Sequence, residues 1–239
     1  MGGIHAAFRK SPNADSNTAA IRNCFTSVSS DLTVPSEAKA IYTGSASGSG
    51  NVIPEFFHVF FNNKYTIDAG VFYKNNGYYE LFTNVDGIWA PNGPTAKATG
   101  TKTLKSWFAK ESGQYYIITQ FGSVSFKAKI DSQIYNSCIK GCQIYREMVI
   151  AANDDKALPN NCYFKNAKFS NTTLTKNDGT YVPLGRQNSN LWRDVLDNNI
   201  KKYNPDYKNY YDSVTSESGS NFVTDTTSAT FNKAAYPIK

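Results

Sequence analysis

Histidine is scarce in this chain of 239 residues, which contains only His5 and His58. Methionine also occurs only twice, and charged residues make up 18% of the chain. No apolar run reaches the roughly 18–20 residues that a membrane-spanning helix needs. Basic helices, zinc-ligand spacings and aromatic RNA-binding motifs are lacking as well. The sequence therefore predicts no transmembrane segment and no nucleic-acid partner.

Cysteine is present four times, an even number that allows three disulfide pairings, and sequence alone cannot select one. We favour Cys138 with Cys142, across the loop between them, and Cys24 with Cys162. Disulfides imply an oxidising compartment, so we expect a secreted, extracellular protein. Free buried thiols are the alternative. Residues 1–3, Met-Gly-Gly, look like a start joined to a mature domain from which a signal peptide was removed.

The net charge is +6, and the lysines are scattered rather than grouped into a run. A mildly basic surface attracts acidic polymers and anionic membrane surfaces. The predicted partner is therefore a polysaccharide or cell-surface glycan, acidic glycans included. A generally solvated surface without a partner is the other interpretation.

Aromatic residues are abundant, with 16 Tyr and 15 Phe, and they concentrate in a segment with strand-like patterning. Residues 56–81 predict three β-strands joined by two Asn-rich turns, since Phe, Tyr, Val and Ile favour strands whereas Asn and Gly favour turns. Residues 124–130 alternate apolar and polar with a period of two. Further strands are predicted at 24–29, 38–43, 103–109, 115–121, 144–152, 163–170, 172–174 and 222–231.

Helical spacing occurs once, where Ser189 can cap a helix that carries Leu191, Val195 and Ile200 on one side. Many short strands, one late helix and no strand–helix alternation predict an all-β fold, an antiparallel β-sandwich with one peripheral α-helix near 189–203. We expect a single domain over 1–239. It would have a flexible N-terminal segment, 1–20, and a Tyr-, Ser- and Thr-rich C-terminal extension, 189–239.

Two segments carry a resemblance to known families. YTIDAGVFYKNNGYYEL (65–81) is similar to the central strands of concanavalin-like lectin, glucanase and laminin-G sandwiches, and CYFKNAKFSNTTL (162–174) resembles their closing strand. The chain also resembles the small YrpD-like family of secreted jelly-roll proteins, whose activity is undefined. The resemblance implies a jelly-roll topology of the concanavalin type.

A polar set of side chains is predicted to line one face of the strands between 56 and 85. Aromatic platforms beside hydrogen-bonding groups suit sugars, whose C–H faces stack and whose hydroxyls need partners. We therefore predict a glycan- or surface-binding protein without catalytic activity. The solvated face of an ordinary sheet is the alternative. The candidate binding residues are His58, Asp68, Tyr78, Glu80, Asn84, Trp89, Lys127 and Lys129.

An enzyme is the other functional hypothesis, a divergent polysaccharide lyase or glycosidase. Asp68 and Glu80 on adjacent strands offer the two carboxyl groups that a glycosidase needs. The Glu-x-Asp-x-x-Glu strand of related glucanases is missing, however. Phe72 stands where alginate lyases of this type carry their proton-donating Tyr, and Phe cannot transfer a proton.

A structural Ca²⁺ ion is a further expectation, since sandwiches of the concanavalin type often hold one in loops remote from the sugar face. Ca²⁺ prefers carboxylate and carbonyl oxygens, and Asp154 and Asp155 stand together in an acidic turn. Turn formation alone is the other explanation of these residues. No other cofactor is predicted.

Overall fold

The computed structural model describes residues 4–12, 24–44, 50–152, 162–183, 189–195, 211–218 and 225–231. These residues form strands and one short helix. In chain order the elements are β1 (Ile4–Pro12), β2 (Phe25–Thr33), β3 (Glu37–Lys39), β4 (Val52–Phe61), β5 (Thr66–Tyr73), β6 (Tyr78–Val85), β7 (Ile88–Trp89), β8 (Thr95–Lys97), β9 (Thr101–Glu111), β10 (Gln114–Phe121), β11 (Val124–Ile130), α1 (Ser132–Cys138), β12 (Gln143–Ala152), β13 (Tyr163–Lys165), β14 (Ala167–Lys176), β15 (Tyr181–Pro183), β16 (Ser189–Val195), β17 (Tyr211–Ser218) and β18 (Asp225–Phe231).

Two eight-stranded antiparallel sheets contain almost all of these strands. Sheet I has the order β16-β1-β12-β4-β5-β6-β7, with β8 also paired to β6. Sheet II has the order β11-β10-β9-β2-β14-β18-β17, with β15 also paired to β14. Strands β3 and β13 form a separate short pair. The prediction of an all-β antiparallel sandwich is confirmed.

The turns of the β4–β5–β6 meander follow the predicted Asn and Gly positions. Asn63 has φ 67°, and Asn75, Asn76 and Gly77 have φ between 55° and 77°. Asn and Gly tolerate this left-handed region better than other residues, which is why the chain reverses at these points. The turns fix the register of the three strands that carry the candidate site.

Aromatic contacts between the two sheets form the centre of the core. Phe60 of β4 meets Phe108 of β9 edge-on, with ring centroids 5.2 Å apart, and Tyr79 of β6 lies 5.7 Å from Phe121 of β10. Edge-to-face pairs of this kind add about 0.5–1.5 kcal/mol beyond the burial of their area. The alternation of apolar residues in β11 also matches the prediction, since Phe126, Ala128 and Ile130 are buried.

Gly70 of β5 lies where its strand packs tightly against β4. A Cβ atom at this position would stand 2.3 Å from both the backbone oxygen of Phe56 and the Cβ of Phe57. No real Cβ occupies such a position, and the obstruction is backbone that cannot rotate away. Only glycine therefore fits at position 70 of this strand.

Replacing Gly70 by Ala should lower the free energy of unfolding by about 3 kcal/mol, the upper end of the usual cost of overpacking. Urea denaturation followed by tryptophan fluorescence measures this change. Gly113→Ala is the control, because nothing lies within 4 Å of its Cβ position and only its φ of 77° opposes a side chain. We expect the control to cost about 1 kcal/mol. Equal losses in the two variants would contradict the tight approach of β4 and β5.

The predicted helix near 189–203 is not where the structure has its helix. Residues 189–195 form strand β16, which pairs with β1 over its full length, and the described helix is α1 at Ser132–Cys138. The apolar residues of a seven-residue segment fit a helix or a buried strand equally well, and the partner strand decided the outcome. That partner, β1, lies within the segment expected to be flexible.

No helix among the described residues is both long enough and apolar enough to cross a membrane.

Candidate functional site

The two faces of sheet I carry different chemistry. His58 of β4 contacts Ser30 of β2 and Ser106 of β9, both in sheet II, so the even-numbered residues of β4 point into the sandwich core. Glu55, Phe57 and Val59 therefore point away from sheet II, because side chains alternate along a strand. We call the side that they occupy the outer face of sheet I.

Three carboxyl groups share this outer face. Phe57 pairs with Glu147 of β12, and Val59 pairs with Asp68 of β5. Residues that pair across antiparallel strands share a face, so Glu55, Glu147 and Asp68 lie on three neighbouring strands and point the same way. We call these three residues the carboxyl cluster.

The members of the carboxyl cluster differ in burial. Glu55 is 5% exposed and Glu147 is 3% exposed, whereas Asp68 is only half-buried. Burial first, and then the negative charges of Asp68 and Glu147, raise the pKa of the Glu55 carboxyl from 4.5 to about 8. Glu55 therefore holds its proton at neutral pH beside groups that exert a negative charge. A proton donor and a proton acceptor are available within one cluster.

Asn84 and Trp89 extend the site sideways from Asp68. Asn84 of β6 pairs with Asp68, and Trp89 of β7 pairs with Asn84. The Oδ1 atom of Asn84 is buried and has no hydrogen-bond partner in the described structure. The Trp89 ring stacks on Phe82 with centroids 4.7 Å apart and meets Phe72 at 6.0 Å. An aromatic wall thus borders the carboxyl cluster.

Most of the predicted binding residues share the outer face of sheet I. Asp68, Tyr78, Glu80, Asn84 and Trp89 are all there, as their register requires. The Glu80 carboxylate forms an ion pair of 2.9 Å with Lys74, which occupies it away from the carboxyl cluster. Tyr78 is exposed and lies beneath the ammonium of Lys97, 5.5 Å from its ring centroid.

His58 does not belong to that set, although we expected it there. It is fully buried between the sheets, with Ser30 Oγ 3.0 Å from Nε2 and Ser106 Oγ 3.2 Å from Nδ1. Burial, and then the positive charge of Arg146, lower the pKa of His58 from 6.5 to about 3. His58 is therefore a neutral core residue and faces away from Asp68.

A chain of polar contacts continues from His58 through the core. Ser30 Oγ lies 2.9 Å from Thr172 Oγ1, and Arg146 Nη1 donates a hydrogen bond to the same Thr172 oxygen. The Arg146 guanidinium also stands over the ring of Phe169, 5.8 Å from its centroid. These contacts satisfy polar groups that would be costly to bury alone, so the network is structural.

Lys127 and Lys129 lie on β11, at the edge of sheet II, and not on the outer face of sheet I. With Trp89 they line a groove of about 520 Å³ where the two sheets meet. Lys127 Nζ is 2.6 Å from a carboxylate oxygen of Glu111. The structure thus brings both lysines near Trp89 but not into the carboxyl cluster. An acidic glycan partner stays a prediction.

The predicted calcium ligands, Asp154 and Asp155, lie outside the described residues. Among the residues described, no group of three or more His, Cys, Asp or Glu side chains is arranged to hold a metal ion. A bound Ca²⁺ ion stays a prediction.

The four cysteines are thiols in this structure, and neither predicted disulfide is formed. Cys138 is the last residue of α1 and Cys142 immediately precedes β12, and the Cys142 thiol donates to the Cys138 carbonyl at 3.5 Å. The Cys162 thiol donates to the carbonyl of Val52, and Cys24 is half-buried at the start of β2. The disulfide pairing and the secreted location stay predictions.

Two members of the carboxyl cluster, Glu55 and Glu147, were missed by the sequence analysis. Each is the single acidic residue of a mainly apolar strand, VIPEFFHVFF and QIYREMVIAA. A carboxyl group in such a run must be buried, and burial shifts its pKa. The sequence therefore contained a signal for Glu55 and Glu147, although the carboxyl pair considered from the sequence was Asp68 with Glu80.

Comparison with known proteins places the fold. No family model and no curated protein sequence matches the chain. A solved structure of scytalido-glutamic peptidase with a transition state analog inhibitor has a TM-score of 0.50 and 13% identity, over 96% of this chain and 98% of that chain. Another, of scytalido-glutamic peptidase with a peptide based transition state analog, has a TM-score of 0.44 and 15% identity, over 95% and 98%.

The comparison corrects the predicted function. A glycan- or surface-binding protein without catalytic activity was expected, with a polysaccharide lyase or glycosidase as the alternative. The architecture is instead similar to that of a peptidase along nearly its whole length. The concanavalin-like and YrpD-like assignments find no support in the comparisons.

Proposed function

We propose that the protein is a peptidase that hydrolyses peptide bonds by general acid–base catalysis on the outer face of sheet I. The carboxyl cluster of Glu55, Asp68 and Glu147 would perform the reaction. One observation carries the proposal: the pKa of Glu55 is raised to about 8 beside two further carboxyl groups on the same face. Two kinds of carboxyl group side by side are what acid–base hydrolysis requires.

The reaction divides between a base and an acid. An ionised carboxylate, Asp68 or Glu147, takes a proton from a water molecule, and the oxygen of that water attacks the carbonyl carbon of the peptide bond. The protonated carboxyl of Glu55 keeps the cluster from carrying three negative charges and donates toward the oxygen or nitrogen of the reacting amide. The C–N bond then breaks, and the departing nitrogen receives a proton from the cluster.

Asp68 is the member of the cluster that a substrate reaches first. It is half-buried, whereas Glu55 and Glu147 are almost fully enclosed. Asp68 also contributes more than Glu147 to the raised pKa of Glu55, so the two carboxyl groups are electrostatically coupled.

The fold supports the same reaction class by analogy. The solved structure with similar architecture is that of scytalido-glutamic peptidase with a transition state analog inhibitor. Fold alone never establishes an activity, so the argument rests on the carboxyl groups and the likeness only strengthens it.

Incubating the protein with an acid-denatured protein substrate at pH values from 3 to 8 tests the proposal. We expect new peptides, detected by mass spectrometry, with most cleavage below about pH 8, where Glu55 is still protonated. A metal chelator should leave the cleavage unchanged, since the proposed chemistry uses only carboxyl groups. A peptide pattern identical to that of substrate incubated alone, at every pH, would refute the proposal.

A further inference from the structure

A trough lies on the side of sheet II that faces away from sheet I, which we call the outer face of sheet II. Ser30 of β2 points into the sandwich, where its hydroxyl contacts His58. Side chains alternate along a strand, so Ser27 and Ser29 of β2 point outward. Both line the trough, whose volume is about 570 Å³. The trough therefore opens on the opposite side of the sandwich from the carboxyl cluster.

One row of paired residues crosses the trough. Trp107 of β9 pairs with Ser27, which pairs in turn with Thr175 of β14. Thr175 pairs with Tyr181 of β15, and all four residues line the trough. Neighbouring strands are about 4.8 Å apart, which puts Tyr181 roughly 14 Å from Trp107. Two aromatic side chains therefore stand at either end of this row, with hydroxyl groups between them.

Four hydroxyl groups line the trough without a hydrogen-bond partner among the described residues, those of Ser27, Ser29, Thr173 and Thr175. All four residues are half-buried, so a ligand can reach their hydroxyl groups. Farther along the same face, by contrast, the hydroxyl groups of Thr33 and Thr101 bond to each other at 2.8 Å. A hydroxyl group both donates and accepts, so the trough suits a ligand that is rich in hydroxyl groups itself.

Lys105 carries the only formal charge among the described residues that line the trough. It is exposed, and its ammonium lies over the Trp107 ring, 5.0 Å from the ring centroid. Asp31 of the same face does not line the trough and accepts a hydrogen bond from Asn171. A ligand packed against Trp107 therefore meets one positive charge, which favours an anionic group at that position.

We infer that this trough binds an acidic sugar chain, with sugar rings packed on Trp107 and Tyr181 and a sugar carboxylate held by Lys105. The C–H faces of sugars pack on aromatic rings, and their hydroxyl groups exchange hydrogen bonds with serine and threonine. A chain of several sugars is needed to cross the roughly 14 Å between the two aromatic residues. Sugar binding here leaves the carboxyl cluster, on the other side of the sandwich, unobstructed.

Binding of dye-labelled sugar hexamers tests the inference. The acidic probes are the hexamers of galacturonate and mannuronate, and the neutral probes are the hexamers of galactose and mannose. We expect fluorescence anisotropy to show about tenfold tighter binding of the acidic member in at least one pair, since a hydrogen bond to a charged group exceeds a neutral one by about that factor. Equal affinity within both pairs, or no binding of any hexamer, would overturn the inference.

Lys105→Gln should reduce the preference for the acidic hexamer to less than twofold and leave the affinity for the neutral hexamer unchanged, because it removes only the charge. Lys110→Gln is the matched control. Lys110 is also an exposed lysine of β9, with its ammonium 5.3 Å from the centroid of the Tyr115 ring, but it does not line the trough. This control should keep the tenfold preference. Equal losses in the two variants would show general attraction to a basic protein and refute the site.

Tyr181→Ser tests the packing of sugar rings. Tyr181 is 73% exposed, so its replacement leaves folding intact. We expect acidic and neutral hexamers alike to bind about fivefold more weakly, since they lose one aromatic contact. Tyr78→Ser, at an exposed tyrosine of sheet I, should change nothing. Unaltered affinity in Tyr181→Ser would contradict the inference. Peptide cleavage plays no part in these measurements, so the inference stands or falls independently of the proposed function.

Discussion

Asp68→Asn and Glu147→Gln variants should each cleave peptides with kcat/KM about 10³-fold lower than the parent protein. Either change removes an ionisable oxygen from the carboxyl cluster while keeping the size of the side chain. General acid–base catalysis contributes roughly 10²- to 10⁴-fold, so losing its base removes most of the rate. Steady-state cleavage of an internally quenched peptide, near the pH of maximal activity, measures the effect.

Glu111→Gln serves as the control for these variants, because Glu111 lies at the surface of sheet II and pairs with Lys127. It should retain activity within about twofold. Comparable activity in the parent, Asp68→Asn and Glu147→Gln proteins would remove the carboxyl cluster as the site of catalysis. Near-ultraviolet circular dichroism establishes that each variant keeps its tertiary packing.

The free energy of unfolding should reach a plateau between about pH 4.5 and 6.5 and decline on both sides. The native pKa of His58 is about 3 against 6.5 in the unfolded chain. Its contribution to the free energy of unfolding is therefore complete above pH 6.5 and is lost as the pH falls toward 3. The native pKa of Glu55 is about 8 against 4.5, so its contribution is complete below pH 4.5 and is lost as the pH rises toward 8.

Each decline should amount to about 2 kcal/mol, since about 1.5 pH units of each titration lie outside the plateau and one pKa unit corresponds to about 1.4 kcal/mol. Between pH 4.5 and 6.5 the two slopes oppose each other and cancel. Urea denaturation at half-unit steps from pH 3 to 9 traces the whole curve. Other groups also titrate in acid and add to the contribution of His58. The acid limb and the alkaline limb of the stability curve are therefore each assigned with a separate variant.

Two substitutions assign the limbs of this curve. Glu55→Gln should flatten the alkaline limb and leave the acid limb in place, because Gln mimics the protonated carboxyl at every pH. His58→Asn should lower stability at neutral pH and make the acid limb shallower, because Asn cannot gain a proton. An alkaline limb that persists unchanged in Glu55→Gln would show that Glu55 is not held protonated by its surroundings.

Most of the fold prediction rested on the alternation of apolar and polar residues within the strands. In β11 the alternation of Phe126, Ala128 and Ile130 with polar residues matched burial in the sheet, because one face packs and the other is wet. The Asn-rich turns of the meander were equally clear. At β16 the spacing of apolar residues wrongly predicted a helix. A short apolar segment also fits a strand when a partner strand is available, and here the partner is β1, about 180 residues earlier in the chain.

The candidate site was predicted in part, and the failure has a definite cause. Alternation within each strand correctly grouped Asp68 with Asn84, but it does not say which residues of β4 lie beside them. The register pairs Asp68 with Val59, which turns His58 toward the core and brings Glu55 onto the outer face. A shift of one residue would have exchanged the two, and only the folded turn between β4 and β5 decides between these registers.

Arg146 and Glu147 are consecutive in β12, so they point to opposite sides of one sheet. The Arg146 guanidinium and the His58 ring both contact hydroxyl groups of sheet II. Apolar contacts are non-directional and resist sliding poorly, whereas hydrogen bonds have one preferred alignment. These contacts therefore prevent sheet I and sheet II from sliding past each other. They hold β12, which carries Glu147, in one position relative to sheet II. The spacing between the Glu147 and Asp68 carboxyl groups is therefore fixed by contacts on the opposite side of sheet I.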